Sequence, residues 1–190
     1  MTHVGEVAWY VTGRFYATSA TLLDVGYFLH FQGLHGRLFH GDQSEKSEKT
    51  ALLTFAAEPF TALSIPNGGL EIGIDERGTF RIYLRDEPGA SFDDPDSFSV
   101  GQCIAVFERV ALVPTTTITL RPTTLTLLSN VFTAKLIEST PFEWQGATHD
   151  LRELLGLGVT QWGSAATEPL VPPPSYAAVV PFVGSAIRVG

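Results

Sequence analysis

The chain has 190 residues, 44% of them apolar, with a formal net charge of −8 and a single cysteine. This is enough chain and apolar surface for one globular domain that needs neither disulfides nor metal, and it excludes a disordered polymer. The acidic balance, without any basic run, argues against a nucleic-acid partner, and no apolar stretch reaches the ~20 residues that span a bilayer, so no membrane partner is expected. The N-terminus "MTHVGEVAWYV" lacks a signal-peptide pattern and Cys103 sits in an apolar run, so a reducing, cytoplasmic setting is expected.

Segments rich in Val, Ile, Thr, Phe and Tyr recur between clusters of Gly, Pro, Asn and Asp, the pattern of short strands. They predict strands over Glu6–Ala17, Thr21–Gln32, Arg37–His40, Thr50–Ala56, Gly69–Asp75 and Thr79–Arg85, then over Gly101–Val113, Thr115–Ser129, Val131–Ser139, Gly158–Trp162 and Ala177–Val189. In the first strand Val7, Trp9, Val11 and Phe15 share one side, and Tyr10, Thr12, Arg14 and Tyr16 the other. Turned inward, Arg14 among tyrosines would anchor a carboxylate or an enolate through its planar fork. In the second, Asp24, Phe28, His30 and Gln32 alternate with an apolar set, Leu23, Val25, Tyr27, Leu29 and Phe31.

The stretch "HFQGLHGRLFHGD", His30–Asp42, places three histidines five residues apart. Positions five apart on a strand face opposite ways, and Gly33, Gly36 and Gly41 disfavour a helix, so no metal is expected here. A turn centred near His35 would set His30 opposite His40 in a hairpin.

"GLEIGIDERGTFRIYLR" predicts a hairpin with a three-residue loop, Glu76-Arg77-Gly78. Asp75 then faces Thr79, Ile74 faces Phe80, Ile72 faces Ile82 and Leu70 faces Leu84, which gathers the apolar residues on one face and leaves Glu71, Arg81 and Tyr83 for a solvated cross-strand ladder. "DEPGASFDDPDSF" reads as a polar connection whose acids form a solvated turn, and "SEKSEK" as a charged loop tip. "QCIAVFERVALV" is apolar on both faces, interrupted by Glu108 and Arg109, and "TTLTLLSNVFTAKLI" is similar. Such strands belong in a wall covered on both sides. "HDLRELLG" carries the one helical signature, with Asp150 as N-cap, Glu153 in the capping-box position and Gly156 as a stop.

Many long antiparallel strands with two apolar faces predict a closed all-β fold. We expect a single antiparallel β-barrel over residues 1–164 with one short helix near 150–156, the alternative being a two-sheet β-sandwich, because closure removes exposed edges. Residues 165–190 hold a Pro-rich strap, Pro172-Pro173-Pro174, and an apolar C-terminal segment expected to dock on the barrel or on a partner subunit, giving a possible homo-oligomer.

No nucleophile elbow, phosphate loop or dinucleotide fingerprint occurs, and no cofactor is called for. The abundance of aromatics points instead to a barrel that binds a small hydrophobic molecule in its lumen, with Trp9, Phe28, Gln32, Phe107, Phe132 and Trp144 as candidate ligand contacts. The alternative is a cofactor-independent isomerase, cyclase or lyase acting on an apolar substrate, in which His30 with Arg14, Tyr10 and Asp24 moves a proton. Which faces look inward decides between these readings.

Overall fold

In a computed structural model of the chain, residues 6–41, 45–58, 63–67, 70–74, 78–113, 116–120, 123–166 and 170–189 are described. The strands in chain order are β1 (Val7–Ala17), β2 (Leu22–Phe31), β3 (Leu53–Ala57), β4 (Leu63–Asn67), β5 (Leu70–Ile74), β6 (Thr79–Leu84) and β7 (Gln102–Val113). They continue with β8 (Thr116–Leu120), β9 (Thr123–Ser139), β10 (Phe142–Trp144), β11 (Ala147–His149), β12 (Gly158–Ala165) and β13 (Ala178–Val189), with α1 (Leu151–Leu155) before β12.

Among the described residues, eight antiparallel strands close a barrel in the order β12-β13-β1-β2-β3-β6-β7-β9. The seam is the pairing of β9 with β12, which sets Leu128 to Lys135 opposite Ala165 to Gly158. That seam excludes a two-sheet sandwich, whose sheets would end in free edges. The early residues of β9 pair with β8, β8 with β5 and β5 with β4, so these strands form an arm continuing from the barrel wall. The apolar C-terminal segment, expected to dock on the barrel or on a partner subunit, is part of the barrel itself, as wall strand β13 between β12 and β1.

Alternation along seven of the eight wall strands sends aromatic rings inward, namely Trp9, Phe28, Phe55, Phe80, Phe107, Phe132 and Phe182. Trp9 lies edge-on to Phe28 at 5.5 Å and to Phe107 at 5.9 Å between ring centroids, while Phe80 contacts Phe55 at 5.1 Å and Phe132 at 5.8 Å. Fully burying each such side chain stabilises the fold by about 1.5–3 kcal/mol. Two glycines make room: Gly13 and Gly26 face each other on β1 and β2, and a Cβ on either would strike Phe182 or Phe55.

One end of the barrel is plugged. The loop after β2 contributes Leu34, Leu38 and Phe39, the β10–β11 hairpin Phe142 and Trp144, and α1 Leu151 and Leu155, all buried. Trp144 Nε1 donates to the carbonyl of His35 at 2.7 Å, tying hairpin to loop. Asp150 caps α1 by accepting from the Arg152 amide at 2.8 Å, and Gly156 ends it at a φ of 67°, as the sequence predicts. No helix among the described residues is long and apolar enough to cross a membrane.

The connection 85–101, read from sequence as polar, lays Phe92 and Phe98 over the outer wall, where both are buried. Tyr16 donates to the Phe92 carbonyl at 2.7 Å and Thr54 to that of Phe98 at 2.8 Å. This cover explains how Tyr16, Val25 and Tyr27 are buried on the outer side.

Three other expectations are corrected. β5 and β6 do not form a hairpin: Ile72 faces Ile65 and Thr116, whereas Ile82 faces Phe55 and Ala105, and Arg81 pairs with Glu58. The proposed Asp75 pairing and the loop residues Glu76 and Arg77 lie outside the described residues. The predicted break at Asn130 is absent, since β9 runs unbroken for 17 residues. The stretch 37–40 is no strand but a single bridge, Phe39 to Ala51.

Candidate functional site

Asp24 on β2 and Arg109 on β7 meet inside the barrel, Arg109 Nη2 donating to Asp24 Oδ1 at 2.6 Å. Two wall strands, β3 and β6, lie between their own, so the pair closes across the lumen. Their side chains are 6% and 3% exposed, respectively. Arg109 also stands over the Phe132 ring, its guanidinium carbon 5.5 Å from the centroid. The alternation that puts Phe107 inward puts Arg109 inward as well, and Asp24 shares the inward face with Phe28.

Burying two ions among hydrocarbon rings costs several kcal/mol per ion, and the attraction between them commonly no more than offsets that cost. A pair of apolar residues would serve the fold as well. A polar anchor facing apolar walls is, in contrast, the usual composition of a small-molecule site.

No protein-family model, curated protein or solved structure matches the chain. The chemistry of the site therefore rests on its geometry.

Of the residues singled out from sequence, Asp24 lies in the lumen with Trp9, Phe28, Phe107 and Phe132, which are buried and packed on one another. Trp9 also donates from Nε1 to Gln161 Oε1 at 2.8 Å. Trp144 belongs to the plug. His30, Tyr10 and Gln32 are exposed, with the His30 and Tyr10 rings 5.6 Å apart on the outer wall. Arg14 also faces outward and stacks over Phe92 at 4.1 Å.

The separation of His30 from Asp24 has a definite cause. Tyr10 faces His30 but Val11 faces Phe28, so Leu29 is an extra residue, a β-bulge. Beyond it the alternation inverts: Phe31 turns in, while His30 and Gln32 turn out. His30 and His40 do not face each other either, since the His40 amide bonds to the Thr50 carbonyl. Among the described residues no three His, Cys, Asp or Glu side chains converge as a metal site would require. Cys103 is half-buried, and burial pushes its thiol up, away from the nucleophilic thiolate.

Arg109 is the functional candidate that the sequence reading passed over as an interruption. The available signal was its shared parity with Ala105 and Phe107 in a strand apolar on both faces, where an inward arginine requires a counter-ion.

Proposed function

We propose that the barrel binds a small, largely apolar molecule in its lumen, at the end where Asp24 and Arg109 meet. The carrying observation is the ion pair itself, held 2.6 Å apart and buried in the barrel beside the Phe132 ring. The opposite end is filled by the plug, so the proposed site lies at the end away from it. The pair would orient a carbonyl or hydroxyl of the ligand, and the rings would contact its body. A reducing, cytoplasmic setting fits the single half-buried Cys103. The isomerase, cyclase or lyase reading needs His30 with Arg14 or Tyr10 in the lumen, and all three side chains stand on the outer side of the wall. Binding is therefore the better-supported function.

The test uses Prodan, an uncharged aromatic ketone whose emission shifts to the blue in apolar surroundings, with the wild type and the double variant Asp24→Leu/Arg109→Met. We expect saturable binding with a blue shift, weakened about tenfold or more in the double variant. The urea midpoint of that variant should be unchanged or higher, because apolar replacement of a whole buried ion pair is often neutral or stabilising by about 1–4 kcal/mol. Equal affinity in the two proteins would remove the pair from the site, and absence of saturable binding would remove the reading.

A further inference from the structure

The bulge at Leu29 shapes the outer wall as well as the inner one. Tyr10, Leu29, Trp162 and Val183 stand out from β1, β2, β12 and β13 with 45%, 44%, 48% and 56% of their surfaces exposed. Trp162 faces Ser185 and Ser185 faces Tyr10 across neighbouring strands. Two aromatic side chains are thus set two strand spacings apart, about 9–10 Å, on either side of a floor of small residues. The groove between them has a volume of about 430 Å³, and Gly163, Gly184 and Ser185 form its floor.

Leu29 also lines a second cavity, of about 170 Å³. Its chemistry is different: His30, Arg37 and Lys46 line it. The whole chain holds 12 Lys and Arg against 20 Asp and Glu, and two of these cations and a histidine line one small cavity. Glu45 and Glu48, on the same loop, are not among the lining residues.

We propose that the two cavities, which share Leu29, together form a second binding site, for a small soluble molecule with an aromatic or alkyl body and one anionic head. The body lies between Tyr10 and Trp162, and the carboxylate, sulfate or phosphate head meets Arg37 and Lys46, with His30 as a further donor. Charge complementarity selects an anion over a neutral apolar molecule. The small floor selects a slender body over a bulky one. This site lies outside the barrel wall and stands independently of the lumen reading.

The three tryptophans are built-in reporters, because Trp9 lies in the lumen, Trp144 in the plug and Trp162 in the groove. The experiment titrates the full chain with 1-naphthalenesulfonate and, separately, with uncharged 1-naphthalenemethanol, following the three indole N–H resonances. We expect the sulfonate to shift Trp162 saturably while Trp9 and Trp144 stay in place. The alcohol should bind about tenfold or more weakly, and the variant Arg37→Glu/Lys46→Glu should weaken the sulfonate by about the same factor. Both substituted side chains are exposed, and an unchanged melting temperature confirms that the variant is folded.

Four results would overturn the proposal. One is a Trp162 resonance unmoved at millimolar probe, and another is a shift of Trp9 in its place, which would assign the probe to the lumen. A sulfonate affinity indifferent to charge reversal would leave only an apolar patch. The last is a Trp162 already broadened without probe, together with a doubled sedimentation mass, which would give the groove to a second copy of the chain.

Discussion

Tyr16 reaches out from β1 to the covering segment and donates to the Phe92 carbonyl at 2.7 Å. Burial pushes its pKa up to about 12, and it raises those of Tyr27, Tyr83 and Tyr176 as well. A raised tyrosine holds its proton longer in the folded than in the unfolded protein, so its contribution is complete below pH 10 and is lost as the pH climbs from 10 to 12. For Tyr16 the loss amounts to roughly 2–3 kcal/mol at full ionisation. Denaturant unfolding at a series of alkaline pH values should show stability falling over that window, together with late tyrosinate absorbance. Tyr16→Phe should cost about 1–3 kcal/mol at neutral pH, by leaving the carbonyl without its donor, yet lose less on going alkaline. Parallel pH profiles for the two proteins would show that Tyr16 is not the group responsible. The candidate site was half legible at this scale. Asp24 stands out in sequence as the one acid on a mostly apolar strand, but its partner is 85 residues away on β7, and no local pattern can name a contact that crosses a lumen.

Strand faces were legible from period two wherever the strand was regular. β1 behaves as read from Trp9 onward, with Trp9 and Val11 inside and Tyr10 outside, while a register shift between Val7 and Trp9 takes Val7 off the side it was expected to share. β2 follows the same rule as far as Phe28 and then breaks it at Leu29, since one inserted residue reverses every side chain beyond it. The bulge therefore parts His30 from Asp24 and Phe28, whose face it was expected to share, and sets it on the outer wall. The β5–β6 hairpin failed for another reason. Phe80 and Ile82 are inward-facing as the alternation requires, but alternation fixes a face and not a neighbour, and the chain passes from the arm to the barrel wall between these strands. Close packing inside the wall gives a test at this scale. Gly26 carries no side chain beneath Phe55, and a Cβ there would lie 2.2 Å from the Thr12 carbonyl oxygen and 2.6 Å from the Phe55 ring. Backbone cannot step aside as a flexible side chain can, so Gly26→Ala should destabilise by about 1–3 kcal/mol, the usual cost of overpacking. Urea unfolding reads this directly. A stabilised variant, the ordinary outcome of replacing glycine by alanine in an uncrowded chain, would mean that the lumen has slack at Phe55.

Closure is the property of the whole molecule that the sequence announced most clearly, because long strands apolar on both faces leave few other ways to cover them. What it could not announce is which strands belong to the ring. Pro66 carries part of the answer: it sits in β4, the terminal strand of the sheet order, where a residue without an amide proton is tolerated. The ring strands β1, β7 and β13 each have a hydrogen-bonded neighbour on both sides over most of their length, and the seam between β9 and β12 leaves no end from which the ring can unzip. Among the described residues β4 has a single partner, β5, and β5 meets β8 over just Leu70 to Ile72. The arm should therefore open by local fluctuations that leave the ring intact. Hydrogen exchange followed by mass spectrometry should show peptides from β4 and β5 exchanging about a hundredfold or more faster than peptides from β7 near Phe107 or from β13 near Phe182. Equal protection would mean that arm and ring unfold as one cooperative unit. The difference bears on the proposed site, since the arm continues from the wall at the end of the barrel where Asp24 and Arg109 meet, so its fluctuations and those of the ring around the pair are read separately by the same experiment.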